Sequence, residues 1–317
     1  MSPTVELVLD CGCDLGEGPI WDTRTQTLYF VDINRNCIHS YVPSTKSHNV
    51  IKLGEPVGAV ALTSDPSILL AATRSSISTI NLLDGGQLNV LASVPESHGT
   101  DAAYRFNDGK VVPQTGCFIV GRMHSDWRRG LHGRLYCLEP ASNAHGNSLQ
   151  PQLREILETV DIGLPNGMAW SADGQTCFFV DSAAETITAY NVDASGAPTV
   201  GSKALPRVIS HTPSQHAHVP DGMTIDSNGN LWVVYGDSGA VTCIDPVNGN
   251  ILTRVELPIK RPTSCCFGGS NLDELYVTTR IETGPKASPH HGGLFKICIP
   301  GVTGQKTGNQ DILFTLP

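Results

Sequence analysis

Helical periodicity is nearly missing from this chain. Only Pro151–Val160 (PQLREILETV) offers a plausible helix, and its apolar spacing suits a strand or a short connector almost as well. No apolar run approaches the roughly 18 residues a spanning helix needs, so an integral helical membrane protein is not expected. Charged residues are sparse, at 16%, and hydrophobic ones make up 40%, which excludes a disordered chain. Basic residues are outnumbered: Lys plus Arg is 21 against 30 Asp plus Glu, a net charge of -9. Binding to a nucleic acid backbone draws on clustered Lys and Arg, so no nucleic acid partner is expected. No CxxC pair occurs among the ten cysteines. Cys11-Gly-Cys13 and the adjacent Cys265-Cys266 do not have zinc-ribbon spacing. The opening MSPTVELVLD lacks a basic n-region and a long apolar h-region, so a cytoplasmic protein with reduced, buried thiols is expected. GxSxG, GxGxxG and P-loop motifs are absent too. Gly236-Asp-Ser-Gly239 has the letters of a protease nucleophile motif but falls in an expected hairpin.

Turns and short strands fill the chain instead. There are 32 Gly and 21 Pro with no low-complexity tract. Six β-rich runs recur: Leu28-Tyr-Phe-Val, Ile68-Leu-Leu-Ala, Cys117-Phe-Ile-Val, Cys177-Phe-Phe-Val, Leu231-Trp-Val-Val and Glu274-Leu-Tyr-Val. Their spacing of roughly 40 to 60 residues is that of propeller blades with loops. A turn precedes each run and a third short strand follows most of them, as in Ile38-His-Ser-Tyr and Leu294-Phe-Lys-Ile. Another apolar strand lies before each turn. The expected fold is therefore all-β: one six-bladed β-propeller domain over 1–317 with four-stranded antiparallel blades. The terminal segments VELVLD and DILFTL could close the ring by pairing within one blade.

Aligning the strand before each turn gives one recurring position, occupied by Glu17, Val57, Asn107, Asn166, Asp221 and Thr263. Taken alone, Asn-Gly and Asp-Gly are ordinary turn dipeptides. Taken together, four oxygen-bearing side chains would converge on one mouth of the central channel. Two of them are carboxylates, which repel each other unless a cation lies between them. Such hard oxygen donors suit Ca²⁺, Mg²⁺ or Mn²⁺, and Zn²⁺ also accepts them. Other polar clusters carry less. The run from His211 through His216 to His218 reads as a solvated loop or a lid at the channel mouth. His290-His291 reads as a loop, and Trp127-Arg128-Arg129 as a charged loop at the surface or at the edge of the pocket.

Four motifs in order, Leu15-Gly-Glu-Gly-Pro-Ile-Trp21, Arg105-Phe-Asn-Asp-Gly-Lys110, Leu164-Pro-Asn-Gly-Met-Ala-Trp170 and Pro220-Asp-Gly-Met223, resemble the senescence marker protein/gluconolactonase family of regucalcin-like lactonases. The resemblance runs from about residue 5 to the end and implies a six-bladed propeller with one divalent cation in its channel. It implies Glu17, Asn166 and Asp221 as metal ligands, Ca²⁺ foremost, with Zn²⁺, Mg²⁺, Mn²⁺ or Fe²⁺ as alternatives. It places Asn107 beside metal and substrate and Arg105 on sugar hydroxyls. A substrate-binding acid of the family aligns with Asp126, with His124 as the competing pocket residue. The implied activity is hydrolysis of a sugar lactone, with Asp221 able to take a proton from the attacking water and no obligate protein partner. A hydrolase acting on organophosphates or non-sugar lactones, and a calcium-binding regulatory protein, are the competing functions.

Overall fold

The computed structural model describes residues 2–98, 102–130, 132–141, 150–200, 207–211, 219–285, 287–306 and 313–316. It is a six-bladed β-propeller. Each blade is an antiparallel meander running outward from the channel. The inner strands are Gly16–Asp22, Ala59–Leu62, Tyr104–Val111, Pro165–Trp170, Pro220–Ile225 and Pro262–Gly268, in blades I to VI. Each packs against the inner strand of the next blade, and Pro262–Gly268 packs back on Gly16–Asp22 to complete the circle.

The six β-rich runs form the second strands, Thr27–Asp32, Ile68–Ala72, Phe118–His124, Thr176–Asp181, Leu231–Tyr235 and Glu274–Thr279. They read as continuous apolar runs because neighbouring blades cover both of their faces. Thr27–Asp32 is buried at every residue, whereas the outermost strand of its blade, Ser47–Lys52, alternates between exposed and half-buried. The core is thus spread around the ring in the seams between blades. Trp21 of blade I stacks on Tyr276 of blade VI, with centroids 5.6 Å apart and planes at 8°. Trp232 of blade V meets Phe267 of blade VI edge-on at 6.2 Å. At roughly 25 cal/mol per Å² of apolar surface removed from water, these large rings supply much of the adhesion between blades.

Two expectations are corrected. Pro151–Val160 holds no helix: Gln152–Ile156 is the outermost strand of blade III, paired with Leu135–Glu139. That edge needs a hydrogen-bonding partner, which a helix would not provide. The termini also do not pair with each other. Thr4–Leu9 alone closes blade VI against Leu294–Cys298, with Val5 opposite Ile297. Once that strand is in place, the free edge of Leu294–Cys298 is taken. Phe314 goes instead to the seam of blades II and III, where it is fully buried. Its N–H donates to the Leu62 carbonyl at 3.0 Å, and its own carbonyl accepts from Ser64 at 3.0 Å.

Candidate metal and substrate site

The inner strands share an irregularity that no strand pattern revealed. Five of the six break register with their second strand at the same place: Glu17/Ile20, Phe106/Gly109, Pro165/Met168, Pro220/Met223 and Pro262/Ser264. A bulge leaves a residue out of the ladder and turns its side chain off the sheet. Asn107, Asn166 and Asp221 lie in such breaks and Glu17 borders one. All four line one cavity of about 220 Å³ at the channel mouth. The Asn-Gly and Asp-Gly pairs are therefore strand residues, not turns. Their glycines are set by crowding around the axis. A Cβ on Gly167 would lie 2.6 Å from the Met223 amide nitrogen, and one on Gly222 would lie 2.0 Å from Ser264 Oγ.

A chain of hydrogen bonds fixes the amides. Arg105 Nη1 donates to Asn107 Oδ1 at 2.7 Å and to the Phe106 carbonyl at 2.9 Å. Asn107 Nδ2 donates to the Pro165 carbonyl at 2.9 Å and to Asn166 Oδ1 at 3.3 Å. Asn166 Nδ2 donates to Ser182 Oγ at 2.9 Å, and Ser182 donates onward to the Pro220 carbonyl at 2.6 Å. Each amide oxygen on this chain is thereby identified, and that of Asn166 faces Asn107 beside the two carboxylates.

The electrostatics are unfavourable for the carboxylates as they stand. Burial, then the charges of Asp221 and Asp108, push the Glu17 carboxyl well above the ordinary range. Burial and Asp108 push Asp221 up to about 8, against the pull of Arg280 and of the Asn166 amide. Burial lowers Arg105 to about 10, opposed by Glu17 and Asp221, so it remains cationic near neutrality. Two desolvated carboxylates that repel each other and an amide oxygen are the donor set of a hard cation. The residues therefore fit the divalent ion that the resemblance implies.

Further wall residues escaped the sequence reading. Met123, Ser182, Gly236 and Arg280 line the cavity, and so do Leu15, Leu164 and Val219. They form paired rungs just outside the bulges. Ile33 N–H donates to the Leu15 carbonyl, Ser182 to Leu164 and Gly236 to Val219, while Met123 pairs with Arg105. Ser182, Gly236 and Arg280 each stand just after a second strand, so aligning that position would have exposed these three. Arg280 Nε is buried without a hydrogen-bond partner among the described residues.

The loop after Phe118–His124 reverses two expectations. Asp126 does not line the cavity. It is more than half exposed and faces Arg129 at 3.8 Å. His124 is outside the cavity lining as well: its Nδ1 accepts from the Asp126 amide at 3.0 Å and its ring meets Tyr104 edge-on. Of the two readings for Trp127 and Arg128, the structure takes the pocket edge: both line the mouth, with the guanidinium 4.4 Å from the indole centroid. The short 3-10 turn Trp127–Arg129 accounts for the exchange, because it carries Asp126 outward at its start. Residues 212–218 of the histidine-bearing loop, His216 and His218 among them, lie outside the described residues.

Comparison with known proteins agrees with this geometry. Residues 15–281 match the family model described as SMP-30/Gluconolactonase/LRE-like region. Regucalcin of Xenopus laevis is 33% identical over 308 residues, covering 95% of this chain and 96% of its own. Among solved structures, a luciferin-regenerating enzyme superposes with a TM-score of 0.83 at 30% identity, covering 99% of this chain and 100% of its own. A calcium-binding protein, regucalcin, from Agrobacterium tumefaciens superposes with a TM-score of 0.82 at 25% identity, covering 99% and 98%. The chain belongs to the SMP-30/gluconolactonase/LRE-like family.

Proposed function

We propose that this protein is a divalent-metal-dependent lactonase that opens a sugar lactone to the aldonic acid. The observation that carries the reading is the meeting, in one small cavity, of the carboxylates of Glu17 and Asp221 and the amide of Asn166 with the polar arms of Arg105 and Asn107. Glu17, Asn166 and Asp221 would hold the ion, with Ca²⁺ foremost. A divalent cation there supplies Lewis acidity toward a lactone carbonyl and lowers the pKa of a water. The Asp221 carboxylate faces the cavity and takes the proton of the attacking water, although a carboxylate shared with a cation is a weakened base. Arg105 offers charged donors and Asn107 a fixed amide, which suits ring hydroxyls better than an apolar phosphotriester. Leu15, Leu164, Val219 and Met123 narrow the mouth with apolar surface and exclude bulk water from the polar floor.

A pH-stat panel of sugar lactones tests this on metal-stripped protein reloaded with single cations. Hydrolysis restored by one divalent ion supports the reading. Cation binding without turnover of any lactone favours the calcium-binding regulatory role; the similar Agrobacterium tumefaciens protein is described as calcium-binding.

A further inference from the structure

A second cluster of ligand atoms lies at the seam where the ring closes, on residues that do not line the oxygen-lined cavity. Cys11 and Cys13 sit on the connection from the closing strand Thr4–Leu9 to the inner strand Gly16–Asp22. His39 belongs to Cys37–Val42, the third strand of blade I. Sγ of Cys11 and Sγ of Cys13 are 3.5 Å apart, and Cys13 Sγ is 3.9 Å from His39 Nε2. All three atoms fall within 4.8 Å of one another. Gly12, at φ 57°, turns the chain between the two cysteines.

We propose that Cys11, Cys13 and His39 form a second metal site that takes a thiophilic d¹⁰ cation, Zn²⁺ in the first place, and fastens blade I to the closing strand of blade VI. Geometry is the first support. Zinc bonds of about 2.3 Å to sulfur and about 2.0–2.1 Å to nitrogen put tetrahedral donors about 3.5–3.8 Å apart, close to the 3.5 Å and 3.9 Å separations that Cys13 Sγ already makes. The histidine is also already held. His39 Nδ1 lies 3.0 Å from His48 Nε2, and its ring stacks on Phe30 with centroids 4.7 Å apart. With Nδ1–H donating to His48, the lone pair of Nε2 faces the sulfurs, the outer-shell arrangement of metal-bound imidazoles.

Charge agrees. Burial, and the neighbouring His48, hold His39 at about 4, so it is neutral. The hydrogen bond from Cys13 draws the Cys11 thiol down, while that bond and burial push Cys13 up. Asp32 adds negative potential at all three groups, and Arg35, which faces Asp32 at 3.7 Å, offsets part of it. A bound divalent cation replaces the protons of both thiols, which are released to solvent. Cys11 is only half-buried, leaving a way in and a fourth position for water. Backbone contacts join the cluster to blade VI: the Gly292 carbonyl accepts from Cys13 N at 2.8 Å and from Cys11 Sγ at 3.3 Å. The sequence concealed the site because its third ligand comes from another strand, 26 residues beyond Cys13.

This site does not depend on the proposed lactonase activity, and its test separates the two. The full-length protein is reduced, stripped of metal and titrated anaerobically with Co²⁺. Sulfur-to-cobalt charge-transfer absorption in the near ultraviolet, with intense visible bands of a tetrahedral ion, is expected at one equivalent. An all-oxygen site cannot produce the charge-transfer band. One equivalent of Zn²⁺ should abolish it, and excess Ca²⁺ should not. Cys11→Ser, at the half-buried position, should lose it, and His39→Gln should weaken cobalt binding at least tenfold. Asp221→Asn, which alters the channel mouth, should leave it intact. Absence of the band from the reduced protein, or its persistence unchanged in both Cys11→Ser and Cys13→Ser, would overturn the proposal.

Discussion

Arg105 shows how one side chain separates recognition from metal binding. It stands one rung outside the bulge, and its Nη1 is bonded to Asn107 Oδ1. Arg105→Ala should leave cation affinity nearly intact while kcat/KM on polyhydroxylated lactones falls by about ten- to a hundredfold. One charge-assisted hydrogen bond at about 1.5–3 kcal/mol sets that scale. A lactone without ring hydroxyls should lose much less; parallel kinetics on the two substrates, with equal losses, would assign Arg105 to folding instead. Asp221 makes a second prediction. Its folded pKa of about 8 lies far above the usual carboxylate value, so without a cation the native state holds a proton that the unfolded chain releases. The stability this group contributes is fully present below its unfolded pKa and is lost as pH rises toward 8. Melts of metal-stripped protein should show stability declining over that range, with a smaller decline in Asp221→Asn and recovery on adding cation. Identical slopes in the two proteins would contradict the assignment.

At the scale of the element, the bulged inner strand is what brings Asn107, Asn166 and Asp221 together. Gly167→Ala would drive a methyl into the backbone of Pro220–Ile225, beside both Asn166 and Asp221. Overpacking of this kind costs about 1–3 kcal/mol, and calorimetry should show weaker cation binding along with a lower Tm. Unaltered cation affinity would mean that the strand spacing does not set the ligand geometry. The blades themselves were legible in the sequence, because second strands covered on both faces must be apolar throughout. The ring position of Glu17, Asn107, Asn166 and Asp221 was legible through its repeat spacing. The bulges were not: register slips leave no hydrophobic signature, and a glycine required by a neighbouring backbone looks like a turn glycine. Asp126 was misplaced, and Trp127 left undecided, for a similar reason. Adjacent residues on a short 3-10 turn point in different directions, and the sequence alone does not say which faces the axis.

The whole molecule depends on how its ring is shut. Thr4–Leu9 occupies the edge of Leu294–Cys298, and its partly buried Val5, Leu7 and Leu9 pack on the largest hydrophobic cluster. Deleting residues 2–9 should expose that edge, promote aggregation and lower Tm by roughly 5 °C or more, as scanning calorimetry would show. An unchanged Tm would mean that packing between blades, not the closing strand, holds the ring. The central claim concerns the channel mouth that this closure preserves, and it rests on one cation held by Glu17, Asn166 and Asp221. Its most direct test is a titration of metal-stripped protein with Ca²⁺ while lactone hydrolysis is followed in the same vessel. Activity should rise from near zero and reach a plateau as the channel site fills with one equivalent, and Glu17→Gln should show neither the binding nor the activity. Full hydrolysis by the stripped protein, or by Glu17→Gln, would contradict the account.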